Sequence, residues 1–262
     1  MRRVALLGLG EAGRRLAADL GGAGIDLRGY DPHAGDVQIA VRAPDLESAV
    51  AGCDAVLSVN TAAVALEVAA AAAPALRDGA IYADLNTASP ELKRRLAALT
   101  EAAGARFADV ALLGPVPARG LGTPALASGD GARAFADAFG PLGMPVEVVS
   151  QRAGDAAALK LLRSVFMKGL AAAAVESLRA GEAAGHADWL RQELADVIGE
   201  PLLERLLEGS RAHAVRRVDE LEAARELLLG LGIEPRIASA SASVLADLAA
   251  AERATTEDRV RR

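Results

Sequence analysis

Six apolar runs in the first half of the chain, "RVALLGL", "IDLRGYD", "VQIAV", "DAVLSVN", "AIYADLN" and "ARFADVALLG", are spaced by stretches with a helical rhythm. Runs that are apolar nearly throughout belong in strands buried on both faces. Such burial requires a parallel sheet with helical crossovers above and below it. The crossovers are "EAGRRLAADLGGAG", "AAVALEVAAAAAPALRDG" and "SPELKRRLAALTEAAG". Gly24, Gly79 and Gly104 stand where helix C-caps are expected, and Ser89 followed by Pro90 reads as an N-cap with proline at the first helical position. Two shorter strands, "PALASG" and "PVEVVS", close this half near residue 150.

From Gly154 onward no strand pattern recurs. "GDAAALKLLRSVFMKGLAAAAVESLRAGEAAG" reads as one long helix, nearly apolar all round in its middle and therefore expected to be buried. Further helices are expected over 187–198, 201–207, 212–230 and 236–250, and the polar ending "ERATTEDRVRR" should fray. A length of 262 residues suits two modest domains. The expected division is an α/β domain over 1–153 and an all-α C-terminal domain over 154–262.

Composition removes several classes of function. The apolar excess is mostly alanine and aromatic residues are few, which favours closely packed helices over a β-sandwich. A net charge of −6 with scattered basic residues offers nothing to nucleic acid. The apolar start breaks at Gly8 and meets Glu11, too short for a signal peptide, and "VALEVAAAAAPAL" is interrupted by Pro74, so no membrane association is expected. Cys53 is the single cysteine. It is read as a small buried residue, and the lack of an intramolecular disulfide fits a reducing, cytoplasmic location. The three histidines are isolated, so no metal site is expected.

The junction between the first strand and the first helix carries "GLGEAG", residues 8 to 13. In such a loop Gly8 allows a tight turn and Gly10 admits a pyrophosphate. Gly13 lets helix and strand pack closely, and the helix N-terminus faces the phosphates. The second run ends in Asp31, where a carboxylate can accept both ribose hydroxyls of an adenosine. The fold expected is thus a Rossmann-type doubly wound sheet. Asp31 favours NAD, because it would repel the 2′-phosphate of NADP; His33 and Arg42 are the neighbours that would blunt this preference.

The cations are overwhelmingly arginine: of 29 basic residues only Lys93, Lys160 and Lys168 are lysine. Arginine cannot release its proton at useful pH, whereas a partly buried lysine can be tuned to do so. Lys160, on an apolar helix, is therefore the candidate acid/base; the bland alternative is a lysine snorkelling to the surface. Arg163, Ser164 and Met167 share its helix face and Lys168 lies at the edge. That face suits an anionic substrate, with Arg163 holding a carboxylate or phosphate. Alternatively, Arg163 pairs with an acidic residue of the helical domain.

Four stretches give the chain a resemblance to the β-hydroxyacid dehydrogenase family, which includes 6-phosphogluconate and 3-hydroxyisobutyrate dehydrogenases. "GLGEAGRRLAADL" is similar to that family's cofactor loop, without its methionine. "YADLNTASPEL" is similar to its D-x-S-T-x-x-P segment near the nicotinamide, with Asn86 in place of serine. "DVALLGPVPARGLGTPALASG" holds the place of the substrate loop. Gly122 and Thr123 match there, while Leu113 and Pro115 stand where serine and glycine are common. "GDAAALKLLRSVFMKG" puts Lys160 on the family's catalytic lysine, with Arg163 and Ser164 where an asparagine usually follows. The last stretch looks most like a subgroup of dehydrogenases with a distinctive helical C-terminal domain.

The resemblance implies an NAD(P)-dependent oxidoreductase acting on a small, anionic β-hydroxy acid, with Lys160 moving the hydroxyl proton. The expected substrate contacts are Arg163, Ser164 and backbone amides around Gly114, Gly122 and Thr123. The expected cofactor contacts are Gly8, Leu9, Gly10, Glu11, Ala12, Gly13, Asp31, Asn60, Asn86 and Thr87. The family's habit of pairing through helical domains, together with the apolar helix after Gly154, implies a homodimer. The competing readings are an imine reductase of the same fold and a non-catalytic dinucleotide-binding protein; neither needs a general-base lysine.

Overall fold

The first apolar run forms β1 (Arg3–Leu7), and the glycine-rich turn after it opens α1 (Glu11–Gly22). The computed structural model describes residues 1–34 and 41–261. Within them the first half continues as β2 (Asp26–Tyr30), β3 (Val41–Arg42), α2 (Leu46–Val50), β4 (Ala55–Ser58), α3 (Ala65–Ala72), β5 (Ile81–Asp84), α4 (Pro90–Ala102) and β6 (Arg106–Leu112). It closes with α5 (Val116–Arg119), β7 (Ala125–Ser128), α6 (Ala132–Phe139) and β8 (Val146–Val148). The expected strand "VQIAV" lies outside the described residues except for Val41 in β3.

The eight strands make one sheet in the order β3-β2-β1-β4-β5-β6-β7-β8. The chain leaves β1 toward β2 and β3 on one side and returns to β4 on the other. The strand order therefore reverses beside the C-terminal ends of β1 and β4, the position where open α/β sheets bind ligands. The apolar runs behave as their composition demands. Leu6, Leu57 and Val110 face one core with Leu16, Leu20 and Phe135, while Leu7, Val56, Tyr82 and Phe107 face another with Leu96 and Ala97.

One pairing departs from the all-parallel expectation: β7 runs antiparallel to β6, with Asp109 opposite Ser128. The connection between them holds only the short α5 and a 3-10 turn at Gly120–Gly122, and the Leu113 N–H already bonds Pro124 O. That link folds back as a hairpin would, without a long crossover helix. Local signals are obeyed elsewhere. Ser89 Oγ accepts the Leu92 N–H at 3.2 Å with Pro90 at the start of α4, and Gly24, Gly79 and Gly104 all take left-handed φ after their helices or turns. Cys53 is buried and donates to Ala49 O, and burial pushes its thiol up to about 11.

The chain separates into two compact units, Met1–Lys160 and Leu161–Arg262. The long helix α7 (Asp155–Ala183) begins in the first and continues into the second. The second unit adds α8 (Ala187–Ile198), α9 (Glu200–Ala212), α10 (Ala214–Gly230) and α11 (Arg236–Arg261). Its cores join Leu221 and Leu228 to Ala238, Leu245 and Leu248, and Val175 to Ala195, Leu203 and Leu207. The expectation of a wholly buried α7 is corrected: Leu159, Leu162 and Phe166 are exposed along it. Among the described residues no helix is long and apolar enough to cross a membrane.

Candidate active site

The turn from β1 into α1 is built around its glycines. Gly8 has φ +107°, and a Cβ there would overlap the backbone of Val59 after β4. A Cβ on Gly13 would strike Gly8 O, so the helix and the turn touch through bare backbone. Gly10, the N-cap of α1, differs. A Cβ there would meet nothing within 4 Å, and no side chain caps the helix. Here the glycine leaves open space in front of an uncapped helix N-terminus, the cradle that a pyrophosphate fills. The residues thus fit the dinucleotide that the glycine pattern implies.

Asp31, after β2, braces this turn. Its Oδ2 accepts the Leu9 N–H at 2.8 Å, and its Oδ1 accepts those of His33 at 2.8 Å and Ala34 at 3.2 Å. Burial raises the carboxyl, but the three backbone bonds outweigh it and hold Asp31 below the usual carboxylate range. Arg42 reaches the same corner through its guanidinium, which donates to Ala34 O at 2.7 Å.

Level with the C-terminal ends of β4 and β5, a polar row that short sequence windows do not reveal crosses the sheet. Ser58, Asp84, Asp109 and Ser128 are register neighbours on β4 to β7, and all four are fully buried. Lys93, on α4 and 1% exposed, bridges the middle pair. Its Nζ lies 2.7 Å from Asp84 Oδ2 and 3.1 Å from Asp109 Oδ1, and it also donates to Asp84 O. Desolvation works against the ammonium, yet the two carboxylates prevail and raise Lys93 above the ordinary lysine range. Toward β4, Asn86 Nδ2 donates to Asp84 Oδ1, Ser58 Oγ and Asn60 Oδ1, which brings two of the expected cofactor residues together. Among the described residues Asn86 Oδ1 is buried without a hydrogen-bond partner, an acceptor that suits a donor such as a carboxamide.

Toward β7 the row meets the start of α7. Asp109 Oδ2 accepts the N–H groups of Gly154 and Ala157 and the Ser128 hydroxyl, and Ser128 Oγ accepts the Ala156 N–H. These bonds account for the first turns of α7 lying with the sheet, beyond the boundary at 153/154 that the sequence suggests. One turn on, Lys160 Nζ donates to Thr87 Oγ1 at 2.7 Å. The lysine is partly buried rather than snorkelling, and its partner sits in the segment singled out for the nicotinamide.

The other expected substrate residues diverge. Thr123 is fully buried, with its N–H and hydroxyl both given to Gly120 O, so it shapes the turn between α5 and β7. A Cβ on Gly114 would come to 3.8 Å from the Thr123 methyl, and one on Gly122 would meet nothing within 4 Å. In the second unit, Ser164 is buried and accepts from Lys168 Nζ at 3.0 Å, and Lys168 is itself ion-paired with Glu220 of α10. Arg163 is exposed, and no ion pair among the described residues includes it. Lysine scarcity, which drew attention to Lys160, was a signal for Lys93 and Lys168 as well. Among the described residues no three His, Cys, Asp or Glu side chains are grouped to hold a metal ion.

Residues 3–139 match the NAD binding domain of 6-phosphogluconate dehydrogenase, and residues 182–248 match a domain of unknown function (DUF1932). An uncharacterized 28.5 kDa protein of Methanothermus fervidus is 28% identical over 194 residues, 73% of this chain and 74% of that protein. The conserved protein MTH1747, described as structurally similar to 3-hydroxyacid dehydrogenases, superposes with a TM-score of 0.74 at 29% identity, covering 94% of this chain and 96% of its own. The 3-hydroxyisobutyrate dehydrogenase of Mycobacterium tuberculosis shares the fold, with a TM-score of 0.80 at 22% identity over 95% and 94% of the two chains.

Proposed function

From the chain's membership of the β-hydroxyacid dehydrogenase family, with the NAD binding domain of 6-phosphogluconate dehydrogenase, we propose that it interconverts a small, anionic β-hydroxy acid and the corresponding carbonyl compound. The cofactor is a nicotinamide dinucleotide. Residues 8–13 would hold its pyrophosphate, Asp31 its adenosine ribose, and Asn60, Asn86 and Thr87 its nicotinamide end. When bound, the dinucleotide takes or gives the hydride at the carbinol carbon.

The observation that carries the reading is the Lys160 ammonium held at Thr87 Oγ1, beside the Asn86 segment. In the oxidative direction the neutral amine of Lys160 takes the hydroxyl proton as the carbonyl forms. In the reductive direction the ammonium returns it. Thr87 accepts one N–H and so orients the head group. Backbone around Gly114 and Gly122 would receive the acid group; on the helical unit, taken by itself, exposed Arg163 would pair with an anion. The Ser164 hydroxyl is engaged by Lys168, so the anion contact proposed for that pair rests with Arg163. A buried, unpaired thiol agrees with work in a reducing cytoplasm.

The test begins with hydroxy acids of varied chain length and phosphorylation, followed by NADH absorbance. Lys160→Met, which keeps the stem and removes the ionisable group, should retain fold and NAD binding while kcat falls by ~10²–10⁴-fold. A kcat within a few fold of the parent, with the chemical step rate-limiting, would overturn the proton role and bring the imine-reducing reading forward.

A further inference from the structure

We infer that Asp109 is a positioning residue: clamped by Lys93 and Ser128, it caps the start of α7 from the sheet and thereby sets where the helix delivers Lys160. This inference rests on the proton role proposed for Lys160, but its decisive readout does not require turnover.

The cap is not a local one. Asp109 belongs to β6, 45 residues before Gly154, and still takes the N–H groups of Gly154 and Ala157 at 3.2 and 3.0 Å. Ser128 extends the same grip to the Ala156 N–H at 3.0 Å. Ala156 and Ala157 lie four and three residues before Lys160, so the gripped amides and the lysine share one side of the helix. The entry to the helix has little room to shift: Gly154 has φ +97°, and a Cβ there would approach Pro90 O to 2.7 Å.

Charge explains why Asp109 stays where it is. Two buried carboxylates face one buried ammonium, leaving the cluster one negative charge in excess. The positive end of a 29-residue helix, equivalent to roughly half an elementary charge, offsets part of it. If the helix start drew back, Asp109 would be left buried and under-paired, which is costly. The other end of the lysine depends on the same cluster, because Thr87 follows Asp84 by three residues and Asp84 is the second carboxylate held by Lys93. Stem and tip of Lys160 are therefore referenced to one Asp84–Lys93–Asp109 frame.

With only three lysines, the full-length protein labelled with [ε-¹³C]lysine gives a spectrum in which each can be assigned, using Lys160→Met and Lys168→Met. In Asp109→Asn one face of the new amide must present a donor either to Lys93 or to the α7 N–H groups. The Lys160 signal should move while the Lys168 signal stays. On a hydroxy acid accepted by the parent, kcat should fall by about tenfold or more, as a displaced catalytic group does, with KM little changed. Ser128→Ala, which removes one donor to Asp109 and the acceptor of the Ala156 N–H, should move the same signal less, and it decides the matter if Asp109→Asn does not fold. A Lys160 signal unchanged in the folded variants, even with a lowered melting temperature, would reduce Asp109 to a fold residue. If Lys160→Met kept full activity while Asp109→Asn still moved the Lys160 signal, the proton role would fall and the positioning would stand.

Discussion

Lysine and arginine divide the work of this chain between them, and the division shows residue by residue. Lys93 bridges two buried carboxylates, Lys160 is held by Thr87, and Lys168 is paired with Glu220. A lysine ammonium is a compact charge whose proton affinity responds to burial and to its neighbours, whereas a guanidinium stays charged wherever it is placed. Asp31 makes the corresponding point for the acids. It uses three of roughly four acceptor positions on the turn itself, and the remaining one, on the oxygen that already takes Leu9, is what a ribose hydroxyl would use. NAD should therefore be preferred to NADP at equal concentration, since a 2′-phosphate would meet that carboxylate. Asp31→Ala should narrow the preference and weaken NAD binding together, because the Leu9 N–H loses its acceptor. Tighter binding of NADP by the parent, in a calorimetric comparison, would remove Asp31 from that role and turn attention to Arg42.

Elements were legible where the information was local. The glycine loop, the Ser89 cap and the starts of the helices after residue 186 could be read from short windows, because backbone conformation and capping act over a few residues; the ends could not, since α9 runs on to Ala212 and α11 to Arg261, past the 207 and 250 expected and through the ending expected to fray. The polar row could not. Asp84 and Asp109 become neighbours only through strand register, and nothing around Lys93 in sequence says that α4 turns it toward them. The same limit applies to α7, where an apolar run shows that a face avoids water without showing what covers it, and Leu159, Leu162 and Phe166 are exposed. The ion pair between α7 and α10 gives a test at this scale. Burial lowers Lys168 more than Glu220 raises it, with Arg217 and Arg216 adding to the lowering. Because the unfolded chain then binds more protons, stability should rise with pH as the ordinary lysine value of 10.5 is approached from below, and that rise should vanish in Lys168→Met. In urea titrations at neutral pH, Lys168→Met should lower stability by about 1–3 kcal/mol, since Glu220 loses its ammonium but keeps Ser164 and Arg216 within reach. Lys168→Met combined with Glu220→Leu should recover most of it. A double variant no better than the single one would show that the helices need the charges themselves.

At the scale of the whole molecule, the exposed side of α7 is the feature a single chain does not account for. In the second unit Leu162 is 40% exposed and Phe166 68%, one turn apart on the helix. Gly169, one turn further, lies so near Ile237 of α11 that a Cβ would come within 3.0 Å of its Cγ2, and Ile237 is itself 62% exposed. Phe166 on α7 and Ile237 on α11 thus each present an apolar side chain to solvent, on two helices that approach closely at Gly169. Scattered exposed leucines need no explanation, but an exposed aromatic residue near a close helix approach is what an interface would use, and the expectation of a homodimer is tested there. A second copy of the chain is the partner we expect, and a stable homodimer needs such an interface to bury roughly 1,000 Å² or more of surface. Light scattering at micromolar concentration should then give twice the chain mass of 26.7 kDa. Phe166→Asp should shift the protein to monomer with its helical content intact, because the side chain is already in water in the single chain and the folded unit does not depend on it. A parent protein that stays monomeric at those concentrations would dismiss the dimer. A Phe166→Asp variant that stays dimeric would move the interface to another face, with Trp189 and Val197 on α8 the next exposed apolar pair to substitute.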